Sequence, residues 1–250
     1  MDKILVANWK MNPVKEGEVI KLAKASDQKN VVICPPFIYL KSISKLLRKA
    51  KLGAQDAGWS ESGPFTGGVS APMLKNFKVE YVILGHSERR LKFNETDEMI
   101  AEKVKSALTA GLKVILCVGE PAAIRKQGTA AAKKYIAAQL KKDLSKIGNL
   151  KLGIGNLLIA YEPIWAISTS RDQSLKETPE IILEMINFIK NNLKSLFINH
   201  KSSVLYGGSV TSKNIKRIIN HEEISGALVG GASLNSKEFS KIIKLTYARK

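Results

Sequence analysis

Residues 157–167 read LLIAYEPIWAI. The apolar run Leu157 to Ala160 has strand length and no apolar/polar alternation, the pattern of a strand covered on both faces. It ends in a tyrosine and a single carboxylate, Glu162, with Pro163 and Trp165 directly behind. A charge at the tip of a buried strand needs a use, and the rest of the chain supplies the context. Seven more runs of this kind occur: Ile4–Ala7, Val31–Cys34, Leu52–Ala54, Tyr81–Leu84, Val114–Val118, Val204–Tyr206 and Ala227–Val229. Helical periodicity fills the spaces between them. In NETDEMIAEKVKSALTAG, Ile100, Val104 and Leu108 fall on one face and Gly111 closes the helix. In TPEIILEMINFIKNNL, Thr178 suits the N-cap, Pro179 the first turn, and Glu180 and Glu184 complement the helix dipole.

Strands alternating with helices imply parallel βα units, because a parallel pair needs a long crossover. Eight units of about 30 residues fit a closed (β/α)8 barrel, whose usual length is ~250 residues. The expected class is therefore α/β, one barrel domain spanning 1–250, with no proline- or serine-rich linker to divide it. An open doubly wound sheet is the other architecture, but no G-x-G-x-x-G follows the first strand.

Composition narrows the function classes. The formal net charge of +18 invites a nucleic-acid partner. The lysines, however, are spread over nearly every segment, arginine is scarce, and aromatics make up only 6% of the chain, so no stacking platform is visible. Solvated helix faces account for the charge, and no specific nucleic-acid partner is expected. No segment approaches the ~18 consecutive apolar residues of a membrane helix, and the N-terminus lacks the pattern of a signal peptide. Two cysteines, Cys34 and Cys117, make a poor disulfide framework, and a reducing cytoplasm is the expected location.

The active site of such a barrel is built at the carboxyl ends of its strands. After the first run come Asn8 and Lys10, and after the fourth His86, Ser87 and Glu88. Glu120 ends the fifth and Glu162 the sixth. Glycine pairs follow the seventh (Gly207, Gly208, then Ser209) and the eighth (Gly230, Gly231). An acid, an imidazole, an amine and two glycine pairs on one rim suit proton abstraction beside a carbonyl, with donors for the negative charge that develops.

The motifs NWKMN, GHSERR, CVGE, YEPIWAI, YGGSV and LVGGASL, in this order and spacing, resemble the triosephosphate isomerase family along essentially the full chain. The resemblance implies a TIM barrel that is usually a homodimer and uses no cofactor or metal. It implies interconversion of dihydroxyacetone phosphate and glyceraldehyde 3-phosphate in glycolysis and gluconeogenesis. By the same resemblance Glu162 is the base, and burial strengthens a carboxylate as a base. His86 is the electrophile; a neutral imidazole at a helix N-terminus is an established feature of this family. Lys10 is the substrate-binding cation with Asn8 beside it, and Glu88 orients Lys10 or assists proton movement. Backbone donors from Ser168, Ser209, Gly230 and Gly231 are expected to hold the phosphate, and glycine at both pairs, Gly207–Gly208 and Gly230–Gly231, is expected to permit its close approach. Trp165 matches a lid hinge, Tyr206 a tyrosine that bonds the closed lid, and Cys117 a small residue packed behind Glu162.

Two departures stand out. The family lid tip Ala-Ile-Gly-Thr-Gly is here Ala166-Ile167-Ser168-Thr169-Ser170, and a Lys-Thr-Ala hinge is here Arg171-Asp172-Gln173. Altered lid kinetics or phosphate affinity is the expectation. In GPFTGGVS, the loop that reaches the partner subunit in the family, Gly68 stands where a glutamate pairs with an arginine matching Arg89. A dimer through Gln55, Phe65 and Thr66 is still expected, though a weaker one. The alternatives are a basic barrel that has lost catalysis and binds anions or nucleic acid, or a phosphate-binding barrel with another carbonyl reaction.

Overall fold

The computed structural model describes residues 3–147, 154–167, 172–197 and 203–248. Eight parallel strands close into a barrel in sequence order, with the first beside the last. They are β1 (Ile4–Asn8), β2 (Val31–Cys34), β3 (Lys51–Ala54), β4 (Tyr81–Leu84), β5 (Lys113–Val118), β6 (Leu157–Tyr161), β7 (Ser203–Tyr206) and β8 (Gly226–Val229). Each agrees with its sequence expectation to within one residue at either end. The outer helices are α1 (Glu16–Ser26), α2 (Leu40–Ser44), α3 (Ala71–Asn76), α4 (Ser87–Lys92), α5 (Asp97–Thr109), α6 (Ala122–Arg125), α7 (Thr129–Asp143), α8 (Pro179–Leu196), α9 (Ile215–Ile219) and α10 (Ser236–Tyr247).

The core has two compartments because side chains alternate across a strand. One residue set of each strand packs outward against the helices; Leu5, Ile33, Leu84, Leu116 and Ile159 meet Ile100, Val104, Ile186 and Ile242 there. The other set fills the barrel: Val6, Val32, Cys34, Tyr81, Ile83, Ile115, Cys117, Ala160, Leu205 and Leu228. Gly53 of β3 belongs to the inner set, and a Cβ on it would lie 2.4 Å from the Cys34 sulfur. Bulky neighbours on β2 have taken its space.

The helix signals read from sequence operate as expected. Ile100, Val104 and Leu108 are buried on α5, and Gly111 follows with φ of +75°. The Thr178 hydroxyl accepts from the Ile181 N–H at the start of α8, with Pro179 in the first turn. Among the described residues no helix is long and apolar enough to cross a membrane.

Candidate active site

Period two carries the inner set upward to the mouth of the barrel. Val6 leads to Asn8, Ala160 to Glu162, Cys117 to Gly119, Leu205 to Gly207 and Leu228 to Gly230. Asn8 and Glu162 thus enter one opening from opposite parts of the chain, and the glycines leave room for them.

Glu162 is 2% exposed. Its N–H donates to the Val118 carbonyl at 2.8 Å, which extends the β5–β6 ladder by one residue. Its Oε2 accepts from the Ser87 N–H at 3.1 Å, and its Oε1 lies 3.0 Å from Nε2 of His86. His86 is the N-cap of α4. Its Nδ1 accepts the Glu88 N–H at 3.2 Å, so that nitrogen carries no proton. The imidazole is then the Nε2–H tautomer, and that proton is directed at the Glu162 carboxylate.

Lys10 sits at φ of +54°, a left-handed conformation that costs a non-glycine residue about 1–2 kcal/mol. Local bonds hold it there. Its N–H donates to Asn8 Oδ1 at 3.1 Å, and Gln55 Nε2 donates to its carbonyl at 2.8 Å. Its ammonium meets Glu88 Oε1 at 2.7 Å. Burial pulls the Glu88 carboxyl upward, but the Lys10 hydrogen bond and charge outweigh it and hold the group below its ordinary value.

These groups border one cavity of about 240 Å³, lined by Asn8, Lys10, His86, Glu162 and Ile167, by Gly207 to Thr211 and by Gly230 to Ala232. Of the residues expected from sequence, Asn8, Lys10, His86, Glu162, Ser209, Gly230 and Gly231 share it, and Glu88 stands behind Lys10. Ser168 and Ser170 lie outside the described residues. A second cavity of about 490 Å³, bordered by Asp56, Trp59, Phe65, Arg89, Phe93 and Lys103, is larger. It contains neither the imidazole nor Glu162 and is not the seat of the chemistry.

Two sequence readings change. The pair Gly207–Gly208 was expected to serve the phosphate, but a Cβ on Gly207 would lie 2.9 Å from Cγ of Glu162. One on Gly208 would lie 2.0 Å from the Tyr206 hydroxyl. These two glycines make room for protein groups. Gly230 and Gly231 differ: the nearest atom to a Cβ on Gly230 is Lys10 Cε at 3.6 Å, and none lies within 4 Å of one on Gly231. Glu120 ends a strand but does not face the cavity. It is fully buried and accepts from Arg125 Nε (2.8 Å), the Tyr161 hydroxyl (3.2 Å) and Trp165 Nε1 (2.8 Å), so it anchors the segment after Glu162. Gly119 was missed as a site residue. A Cβ there would fall 1.7 Å from the Glu162 carbonyl oxygen, and its only sequence signal is its place two residues beyond the inward-facing Cys117.

Comparison with known proteins agrees with this geometry. Residues 3–246 match the family model described as triosephosphate isomerase. The triosephosphate isomerase of Thermoanaerobacter pseudethanolicus is 41% identical over 251 residues, covering 96% of this chain and 98% of that one. That of Aquifex aeolicus is 41% identical over 253 residues, covering 97% and 99%. The crystal structure of triosephosphate isomerase from Bartonella henselae superposes with a TM-score of 0.85 at 32% identity, over 100% of both chains. Such similarity, unbroken from the first strand to the last helix, places the chain in the triosephosphate isomerase family.

Proposed function

We propose that this protein interconverts dihydroxyacetone phosphate and D-glyceraldehyde 3-phosphate by proton transfer through an enediolate. The observation that carries the reading is the 3.0 Å approach of His86 Nε2 to Glu162 Oε1 at the cavity shared with Lys10. Without substrate the carboxylate rests on the imidazole and on the Ser87 N–H. An arriving triose displaces the imidazole contact: its carbonyl oxygen takes the Nε2–H, and the released carboxylate faces the adjacent carbon. Glu162 then removes that carbon's proton, and the electron pair moves to the oxygen, where His86 and Lys10 hold the negative charge. The hydroxyl proton on the deprotonated carbon passes by way of His86 to the former carbonyl oxygen, and delivery of the abstracted proton from Glu162 to the former carbonyl carbon gives the isomer. A preorganised donor of this kind contributes about 3–4 kcal/mol to the transition state.

The open space over Gly230 and Gly231 suits the phosphate. Gly231–Leu234 is a helical turn, and its first N–H groups have no acceptor within the turn. Ser209 and Ser168 are proposed as further N–H donors to the same anion, and Asn8 and Glu88 as partners of Lys10. The alternative of a barrel without catalysis, binding anions or nucleic acid, has no support.

A homodimer through the loop around Thr66 is part of the same reading. Met11 is 90% exposed, Ile38 78% and Phe93 64%, and Phe65 borders the larger cavity. Phe37, Phe65 and Phe93 border that one cavity, and exposed apolar side chains of this kind are what a second subunit covers. The Gly68 departure does not leave Arg89 without partners, for it meets Asp56 at 3.0 Å and Glu95 at 2.6 Å within the chain. A cytoplasmic location follows from the same family reading.

A coupled assay on glyceraldehyde 3-phosphate tests the function, with Glu162→Asp as control. Withdrawing the carboxylate by one methylene is expected to cost about a hundredfold in kcat. A wild-type protein as slow as that variant contradicts the reading.

A further inference from the structure

Four residues beyond His86, Arg90 lies outside the cavity, yet its side chain is only 12% exposed and its guanidinium is fully engaged. Its Nε donates to the Gly85 carbonyl at 2.7 Å. Its Nη1 donates to Asp97 Oδ1 at 2.7 Å, and its Nη2 to the Cys117 carbonyl at 3.2 Å and to Asp143 Oδ2 at 2.5 Å. One rigid planar group therefore touches the end of β4, the end of β5, the first residue of α5 and the last of α7.

Both carbonyls matter to the site. Gly85 and His86 are the two residues joining β4 to α4, and Gly85 takes φ of +67° to make the turn. Because a peptide unit is planar, fixing the Gly85 carbonyl fixes the plane from which His86 departs. On the other side, Cys117 pairs with Ala160, and the next carbonyl, Val118, receives the Glu162 N–H. The guanidinium thus spans from the peptide that aims the imidazole to the strand that holds the carboxylate. Glycine at 85 is part of the same device, since a Cβ there would lie 2.7 Å from Nη2 of Arg90.

We infer that Arg90 is a positioning residue: by bridging the Gly85 and Cys117 carbonyls, with Asp97 and Asp143 bracing it from outside, it sets the separation of the His86 imidazole and the Glu162 carboxylate. Its catalytic consequence rests on the isomerase reading above; its structural consequence does not. A residue that merely ties helices together would lower stability and leave turnover of the folded enzyme intact. Lysine retains the charge opposite Asp143 but cannot reproduce a fixed fork reaching two carbonyls and two carboxylates.

The test uses the full chain carrying Arg90→Lys or Asp143→Asn, with kcat and KM from the coupled assay, Tm, and the His86 ring-nitrogen resonances of protein labelled with 15N-histidine. For Arg90→Lys, kcat is expected to fall about tenfold to hundredfold, since small misplacements of reacting groups have effects of that order. KM should stay within about twofold, because Gly230 and Gly231, which leave the space proposed for the phosphate, are untouched. The His86 resonances should shift. Asp143→Asn should give a smaller loss of kcat and a shift in the same direction. A folded Arg90→Lys protein with unchanged kcat and unmoved His86 resonances overturns the inference, whatever its Tm. If that variant does not fold, the same criteria apply to Asp143→Asn. If wild-type protein does not isomerise triose phosphates, the isomerase reading fails separately. The resonances then decide on Arg90 alone, a shift supporting its positioning of His86 and no shift refuting it.

Discussion

Glu162 is held in place as much by what surrounding residues lack as by what they offer. Its carboxylate meets the Ser87 N–H and the His86 imidazole, but its backbone passes so close to Gly119 that a methyl group there would sit 1.7 Å from its carbonyl oxygen. Gly119→Ala must push β6 away from β5 at the point where Val118 receives the Glu162 N–H. Overpacking of this kind costs about 1–3 kcal/mol. The expected outcome is a lower Tm together with a fall in kcat of at least tenfold at nearly constant KM; thermal melts and steady-state kinetics check both. Glu162, His86 and Lys10 were legible in the sequence because each is a polar residue two or three positions beyond an apolar run of strand length. Gly119 was not, because its role depends on the β5–β6 register, Val118 opposite Tyr161, which no single strand announces. The space that Glu162 and Tyr206 need at Gly207 and Gly208 was not legible for the same reason.

At the scale of elements, the strands were readable nearly to the residue because burial on both faces leaves an unbroken apolar signature. The joints between elements were not. Asp27, just past the end of α1, accepts N–H bonds from Arg48 (3.0 Å), Lys49 (2.8 Å) and Ala50 (2.7 Å), fixing the approach to β3. Burial raises its carboxyl, but the three backbone donors prevail and hold it below its ordinary value. A depressed carboxyl stabilises the fold above the unfolded pKa of ~3.9 and loses that contribution as pH falls through the folded value. Asp27→Asn is therefore expected to cost about 1 kcal/mol near neutral pH, with the gap to wild type closing as pH drops below the unfolded value. Urea titrations at neutral and acid pH measure it, and a pH-independent gap would remove the carboxylate from the explanation. Nothing in the sequence around Asp27 marks it, since its partners lie 21 to 23 residues away.

For the whole molecule, the barrel explains why residues from opposite ends of the chain can form one site. β8 closes onto β1, so Gly230 stands beside Lys10 although 220 positions separate them in the sequence. That closure was readable from the count and spacing of strand runs. Association was less so, because the family interface is written in loops and one of its glutamates is here Gly68. The exposed Met11, Ile38 and Phe93 lead to the expectation of a dimer in sedimentation velocity at micromolar concentration. A monomer at every concentration would refute it.

The claim on which everything else depends is that Glu162 moves a proton between adjacent carbons of a triose phosphate held by His86 and Lys10. Following dihydroxyacetone phosphate in D2O by proton NMR, with wild-type protein and with Glu162→Gln, tests it most directly. Wild type should isomerise the substrate and place solvent deuterium on the carbons that exchange protons, while the variant, lacking a base at that position, should do neither at a comparable rate. Exchange and isomerisation that persist in the variant, or that are missing from wild type, would contradict the claim.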